Sequence, residues 1–138
     1  MRLKTHTCKP ASTAAGNWFT QRDPRAFLRD IQQDCVNVEN FLPGIGLADY
    51  LANLLLRSAV ERQLQNSGEA LSPLARTDPD SADQVPEYRQ LIGFGNVLVH
   101  GYASLNLHEV WRAIAENLPP FRQALDRLIA DPHSFLQP

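Results

Sequence analysis

Between Gly93 and Tyr102 the chain reads GFGNVLVHGY, and three of its side chains have the chemistry to act on a substrate. The imidazole of His100 titrates near neutrality and can exchange a proton with a reacting oxygen. Asn96 stands four residues earlier, one helical turn away, so on a helix the two side chains touch. Tyr102 adds a phenolic hydroxyl two residues further on. The same stretch also has an ordinary structural reading. On an ideal helix Tyr88, Leu91, Ile92, Gly95, Leu98, Val99 and Tyr102 share an apolar stripe, with Arg89, Gly93, Asn96 and His100 on a polar stripe beside it. That pattern also describes a surface helix with a solvated histidine and a packed tyrosine.

Other constellations offer less. His6, His108 and His133 are dispersed without ligand spacing, and the acidic residues form no paired metal site, so no metal or other cofactor is implied. Gly93-Phe94-Gly95 lacks the remaining glycines of a phosphate loop, and no strand precedes it. Arg57 and Glu61, four apart, read as a solvated helix pair contributing a few tenths of a kcal/mol. Cys8 and Cys35 give little support for a disulfide, which suits a reducing cytoplasm.

Four stretches can position these residues. Asp23-Pro24 supplies an N-cap and a first-turn proline, and Phe27, Leu28, Ile31, Cys35, Val38 and Leu42 recur at helical spacing until Pro43-Gly44. A long second helix is expected over 48–74, with Leu56, Val60, Leu64, Leu71 and Leu74 on one stripe beside the small Ser67. The polar run ARTDPDSADQVP, 75–86, reads as a loop, and a third helix runs from Pro86 to Tyr102. From Asn106, with Glu109 as capping-box partner, Leu107, Trp111, Ile114, Leu118, Phe121, Leu125 and Leu128 form a bundle seam, which Pro119-Pro120 should kink or briefly interrupt. No useful length alternates with period two, so the expected fold is an all-α antiparallel bundle of four to five helices.

The 138 residues fit one domain, with 43% hydrophobic and 20% charged residues. Residues 1–22 lack periodicity and read as a mobile extension, leaving 23–131 as the domain and 132–138 as a tail. Thirteen basic against fifteen acidic residues give a net charge of −2, so nothing global draws the chain to nucleic acid and any RNA contact must be local. The amino-terminal residues hold no apolar h-region, and no run of about 18 apolar residues occurs, so neither secretion nor a membrane span is indicated.

The order of short signatures is more specific than any of them. AVERQLQNSGEA at 59–70, LIGFGNVLVHGY at 91–102 and LHEVWRAIAENLP at 107–119 make residues 24–130 resemble the HepT-like members of the HEPN superfamily. These are small helical proteins paired, as toxins, with a minimal nucleotidyltransferase. The resemblance implies a HEPN-type bundle, a homodimer and metal-independent RNA cleavage in which a ribose 2′-hydroxyl attacks the adjacent phosphorus. In that family's motif, Arg-Asn-x-x-x-His-x-Tyr, Asn96 and His100 match the catalytic Asn and His. Tyr102 matches the tyrosine to which the nucleotidyltransferase antitoxin transfers AMP. The arginine position holds Gly95, which carries no charge to stabilise the phosphoryl oxygens. Arg89 lies eleven residues before His100, roughly 16 Å along a helix, too far to substitute within one chain without a bend. The expectation is an attenuated ribonuclease toxin, with a non-catalytic dimeric binding partner of the nucleotidyltransferase as the alternative.

Overall fold

The computed structural model describes residues 23–100 and 105–131, and of Phe94 and His100 only the backbone. Tyr102, the extension at 1–22 and the tail at 132–138 lie outside the described residues. Helix α1 spans Pro24–Phe41 and begins as its sequence dictates. The Asp23 carboxylate accepts from the Arg25 backbone N–H at 2.9 Å, and Pro24 occupies a first-turn position where no donor is needed. Phe27, Leu28, Ile31, Cys35 and Val38 form its buried face.

The single helix expected over 48–74 is two. Helix α2 covers Leu47–Ala52 and α3 covers Leu54–Thr77, with Asn53 between them in an extended conformation. The Asn53 side chain accepts from the Leu56 N–H at 3.1 Å, so this residue starts a helix instead of continuing one. Most of the expected loop at 75–86 is also helical. Helix α3 runs on to Thr77, and α4, Pro79–Asp83, starts from Asp78, whose carboxylate accepts from both the backbone N–H and the hydroxyl of Ser81. Helix α5 is Tyr88–His100 and α6 is Leu107–Ala130. The interruption expected at Pro119-Pro120 does not occur, and α6 is continuous through both. The carbonyls that lose their ladder partners belong to Ala115 and Glu116, both exposed residues, so solvent is available to satisfy them. Of the box expected at the start of α6, the Asn106 half is present: its side chain accepts from His108 N–H at 3.0 Å and Glu109 N–H at 3.4 Å.

Helix α3 is the central element. Helix α1 packs antiparallel to it, with Ser67 donating to Asp34 at 3.1 Å and Asn37 to Gln63 at 2.9 Å. Helix α5 crosses its other side. Helix α6 packs on α1, where Gln32 donates to Asp126 at 2.6 Å and Arg122 pairs with Glu39. The fold is therefore the expected all-α antiparallel bundle, with four long helices and two short ones and no strand among the described residues.

The core divides in two along the bundle axis. One half gathers Phe27, Leu28, Ile31, Leu71, Leu74 and Leu125 with their neighbours. The other holds Val38, Tyr50, Val60, Leu64, Leu98, Val110 and Ile114. This second half brings the end of α5 together with α2, the first half of α3 and the first turns of α6. Burial of each large apolar side chain contributes about 1.5–3 kcal/mol, so both halves are needed to hold the end of α5 in place.

Candidate functional site at the end of helix α5

Two glycines determine how α5 lies on α3. A Cβ added to Gly95 would stand 3.3 Å from the Gly68 Cα, and one added to Gly68 would stand 3.1 Å from the Leu91 carbonyl oxygen and 3.3 Å from the Gly95 Cα. The backbones therefore approach more closely than side chains would allow. Gly95, at the position where the resembling motif carries arginine, is buried in this crossing. Gly93, two residues earlier, is exposed and has nothing within 4 Å of its missing Cβ.

Beyond the crossing, Leu98 turns inward at 7% exposure while Asn96 faces solvent. Asn96 thus lies on the polar stripe expected from sequence, and the His100 backbone ends the helix one turn later. Val99 departs from expectation: assigned by periodicity to the apolar stripe, it is 43% exposed, and Val97 is 41% exposed. Leu54 and Leu55, at the start of α3, are also exposed, at 60% and 81%.

Arg57 and Glu61 are not the solvated pair that their spacing suggests. Arg57 donates to the carbonyl oxygens of Tyr50, at 3.4 Å, and Leu51, closing the C-terminal end of α2. Glu61 is 7% exposed, and its Oε1 has no hydrogen-bond partner among the described residues. Burial pushes its carboxyl up from the ordinary value, against the opposing charge of Arg57. Sequence reading missed this residue because it ranked the stripe of α3 by apolar character. The clue lay in spacing: Gln65 and Gly68 meet α5 at Gly95, and Glu61 falls four residues before Gln65 on the same helical stripe.

Arg89 does not fill the missing cationic position in this chain. Its Nε donates to the Tyr88 hydroxyl at 3.1 Å and its guanidinium lies 5.4 Å from the centre of that ring, in the first turn of an unbroken α5. A cleft of about 360 Å³ opens between the beginning of α5 and the middle of α6, floored by Cys35, Leu64 and Ser67. Asn96 does not line it. Burial pushes the Cys35 thiol up to about 12, so that sulfur is not a nucleophile at neutral pH. Among the described residues no group of three or more His, Cys, Asp or Glu is placed to hold a metal, and no helix is long and apolar enough to cross a membrane.

The family model described as Ribonuclease HepT-like matches residues 31–128, which spans α1 through α6. The chain belongs to the HepT-like ribonuclease family. Among its relatives, "Putative RNase MJ1380" of Methanocaldococcus jannaschii is 27% identical over 108 residues, covering 78% of this chain and 98% of that protein. "Probable ribonuclease HepT" of Thermococcus cleftensis is 23% identical over 108 residues, covering 78% of this chain and 97% of that one. No solved structure matches. The HepT-like domain thus accounts for nearly the full length of both relatives, and the motif stretch through His100 falls inside it.

Proposed function

We propose that this HepT-like protein is an RNA endonuclease of HEPN type, the toxin of a toxin–antitoxin pair, which cleaves RNA without a metal through Asn96 and His100. The observation that supports the reading is the four-residue spacing of Asn96 and His100 within α5 in a chain of a ribonuclease family. In the reaction the 2′-oxygen forms a bond to phosphorus and the bond from phosphorus to the 5′-oxygen breaks. One proton leaves the 2′-hydroxyl and one reaches the departing oxygen. His100 carries the proton at one of these oxygens, and Asn96 orients the imidazole or the phosphate. Charge building on the phosphoryl oxygens has no guanidinium to meet it, because Gly95 stands in the arginine's place. Loss of one such group costs about 10²–10³ in rate, so the enzyme is attenuated.

A second reading has an observation of its own. Gly95 is built into the α3–α5 crossing, which makes it a packing residue and favours a helical module that binds its partner without cleaving RNA. In both readings the protein is a cytoplasmic homodimer. The exposed Leu54, Leu55, Val97 and Val99 supply apolar surface of the kind a two-fold partner buries. The antitoxin is a minimal nucleotidyltransferase that adds AMP to Tyr102, placing a negatively charged phosphodiester where the RNA backbone must enter. The domain is 23–131, flanked by an extension and a tail.

The test compares RNA cleavage by wild type, His100→Ala and Gly95→Arg. The attenuated enzyme cleaves slowly, Gly95→Arg cleaves faster and His100→Ala not at all. Equal cleavage by wild type and His100→Ala refutes the catalytic reading. Co-expression with the neighbouring nucleotidyltransferase, followed by intact mass, should show an AMP increment that Tyr102→Phe lacks; an unchanged mass removes the regulatory part.

A further inference from the structure

Four of the thirteen basic residues and none of the fifteen acidic ones lie in residues 1–22: Arg2, Lys4, Lys9 and Arg22. From Asp23 onward nine basic residues stand against fifteen acidic ones, so a cationic segment is joined to an anionic domain. The segment precedes the family-matched residues 31–128 and carries two adjacent aromatics, Trp18 and Phe19, five and four residues before Asp23.

The cleft between α5 and α6 has the complementary chemistry. Leu91 stands on one wall, Ile114, Leu118 and Phe121 on the other, and Leu64 on the floor. Its volume of about 360 Å³ suits a compact apolar group. Glu87 is the one charged residue among those described that line it. It ends an acidic stretch of Asp78, Asp80, Asp83 and Glu87, with no basic residue between Arg76 and Arg89, and the last three of these acids are exposed. An apolar groove beside an anionic rim favours an occupant that is both apolar and cationic.

The segment also has the reach. Phe27, near the start of α1, shares one core cluster with Ala82, Val85 and Phe121, so α1 begins at the end of the bundle where α4 leads into α5. Cys35, on the floor of the cleft, is twelve residues past Asp23, about 18 Å along α1. An extended chain covers about 3.3–3.6 Å per residue, so Trp18 can lie up to about 18 Å from Asp23 and earlier residues farther. Attachment at Asp23 keeps the segment beside the groove at an effective concentration of roughly millimolar, so modest affinity suffices. The tail at 132–138 has no Lys or Arg to meet the acidic rim.

We propose that residues 1–22 dock on the α5–α6 groove of their own chain, with Trp18 and Phe19 in the apolar cleft and the basic residues of the segment against Asp80, Asp83 and Glu87. The docking goes beyond the ribonuclease reading and needs neither Asn96 nor His100.

Tryptophan fluorescence of the full chain tests it. Trp111 is the one other tryptophan, and Trp111→Phe keeps an aromatic ring beside Tyr50 while leaving Trp18 as the sole reporter. In that variant Trp18 should emit at shorter wavelength than in a synthetic peptide of residues 1–22, and acrylamide should quench it severalfold less. Adding Asn117→Arg, which puts a bulky cation on an exposed lining residue of α6, should return both signals to the peptide's values with helical circular dichroism unchanged. Peptide-like emission and quenching in Trp111→Phe overturn the docking. So does protection that survives Asn117→Arg, which places the segment elsewhere, or protection that fades on dilution, which assigns it to a second copy. Protection that appears only when an oligoribonucleotide is added overturns it too, making the segment an RNA-binding arm. If Asn117→Arg does not fold, Gln90→Arg on the α5 side of the cleft serves the same comparison.

Discussion

Substituting alanine at each of three glycines tests whether the α3–α5 crossing is as close as the structure shows. Gly93 is exposed, with nothing within 4 Å of its missing Cβ, so alanine there gains helix propensity alone. Gly93→Ala should stabilise the protein by about 0.5–1 kcal/mol. At Gly95 the same gain meets a contact of 3.3 Å with the Gly68 Cα, and backbone cannot rotate away as a side chain does. Overpacking of this kind costs about 1–3 kcal/mol, so Gly95→Ala should be destabilised by about 1 kcal/mol net. Gly68→Ala is worse, because its Cβ meets the Leu91 carbonyl oxygen at 3.1 Å and the Gly95 Cα at 3.3 Å. A net loss of about 2 kcal/mol is expected.

Denaturant unfolding at one fixed protein concentration measures all three, with midpoints shifting at constant slope. The double variant Gly68→Ala, Gly95→Ala should lose less than the sum of the singles, since both substitutions push the same two helices apart. If Gly95→Ala proves as stable as Gly93→Ala, the close crossing is wrong.

Two further outcomes follow from single residues. Burial lifts the Asp34 carboxyl from 3.8 to about 6 despite its bonds to Ser67 and Asn66; the folded state therefore binds this proton more tightly than the unfolded chain, and the stability it contributes below pH 3.8 is lost as pH rises through about 6. Asp34→Asn should flatten stability between pH 4 and 6 and raise it at pH 7 by about 1 kcal/mol, allowing for partial solvent screening; a slope as steep as wild type in a thermal-melt pH series would contradict this. Glu87, immediately before α5, is held at φ 56°, a left-handed conformation that costs a residue with a Cβ about 1–2 kcal/mol. Glu87→Gly should therefore raise the melting midpoint, and a lower one would show that the glutamate side chain makes a compensating contact.

The helices were legible in the sequence where capping chemistry and apolar spacing agreed. Asp23-Pro24 and Asn106 start α1 and α6 as read, and the apolar positions of α1 are buried as expected. The misread boundaries have specific causes. Asn53 sits among strong helix formers, so periodicity passes over it, yet its side chain caps the helix that follows. Pro119 and Pro120 look like a break, but the carbonyls they leave without donors belong to the exposed Ala115 and Glu116, where the cost is small. At the site, Asn96 lies on the exposed face as read. The burial of Glu61 was not visible, because its four-residue spacing from Arg57 fits a solvated pair equally well and only tertiary packing decides between them.

Gly95 is where the sequence pattern and the packing carry different meanings. As a motif position it is a lost arginine; as a residue of α5 it is half of a backbone contact with Gly68. The two meanings are physically linked, since a Cβ at position 95 and a 3.3 Å approach to the Gly68 Cα compete for the same space. A Cβ alone there would already push the helices apart by a few tenths of an ångström, and an arginine must carry a longer side chain out of the same crossing. Gly95→Arg should accordingly lower the unfolding midpoint at least as much as Gly95→Ala, so its cleavage must be compared with wild type under conditions where both are folded. A Gly95→Arg variant as stable as wild type would show that the motif meaning and the packing meaning do not compete.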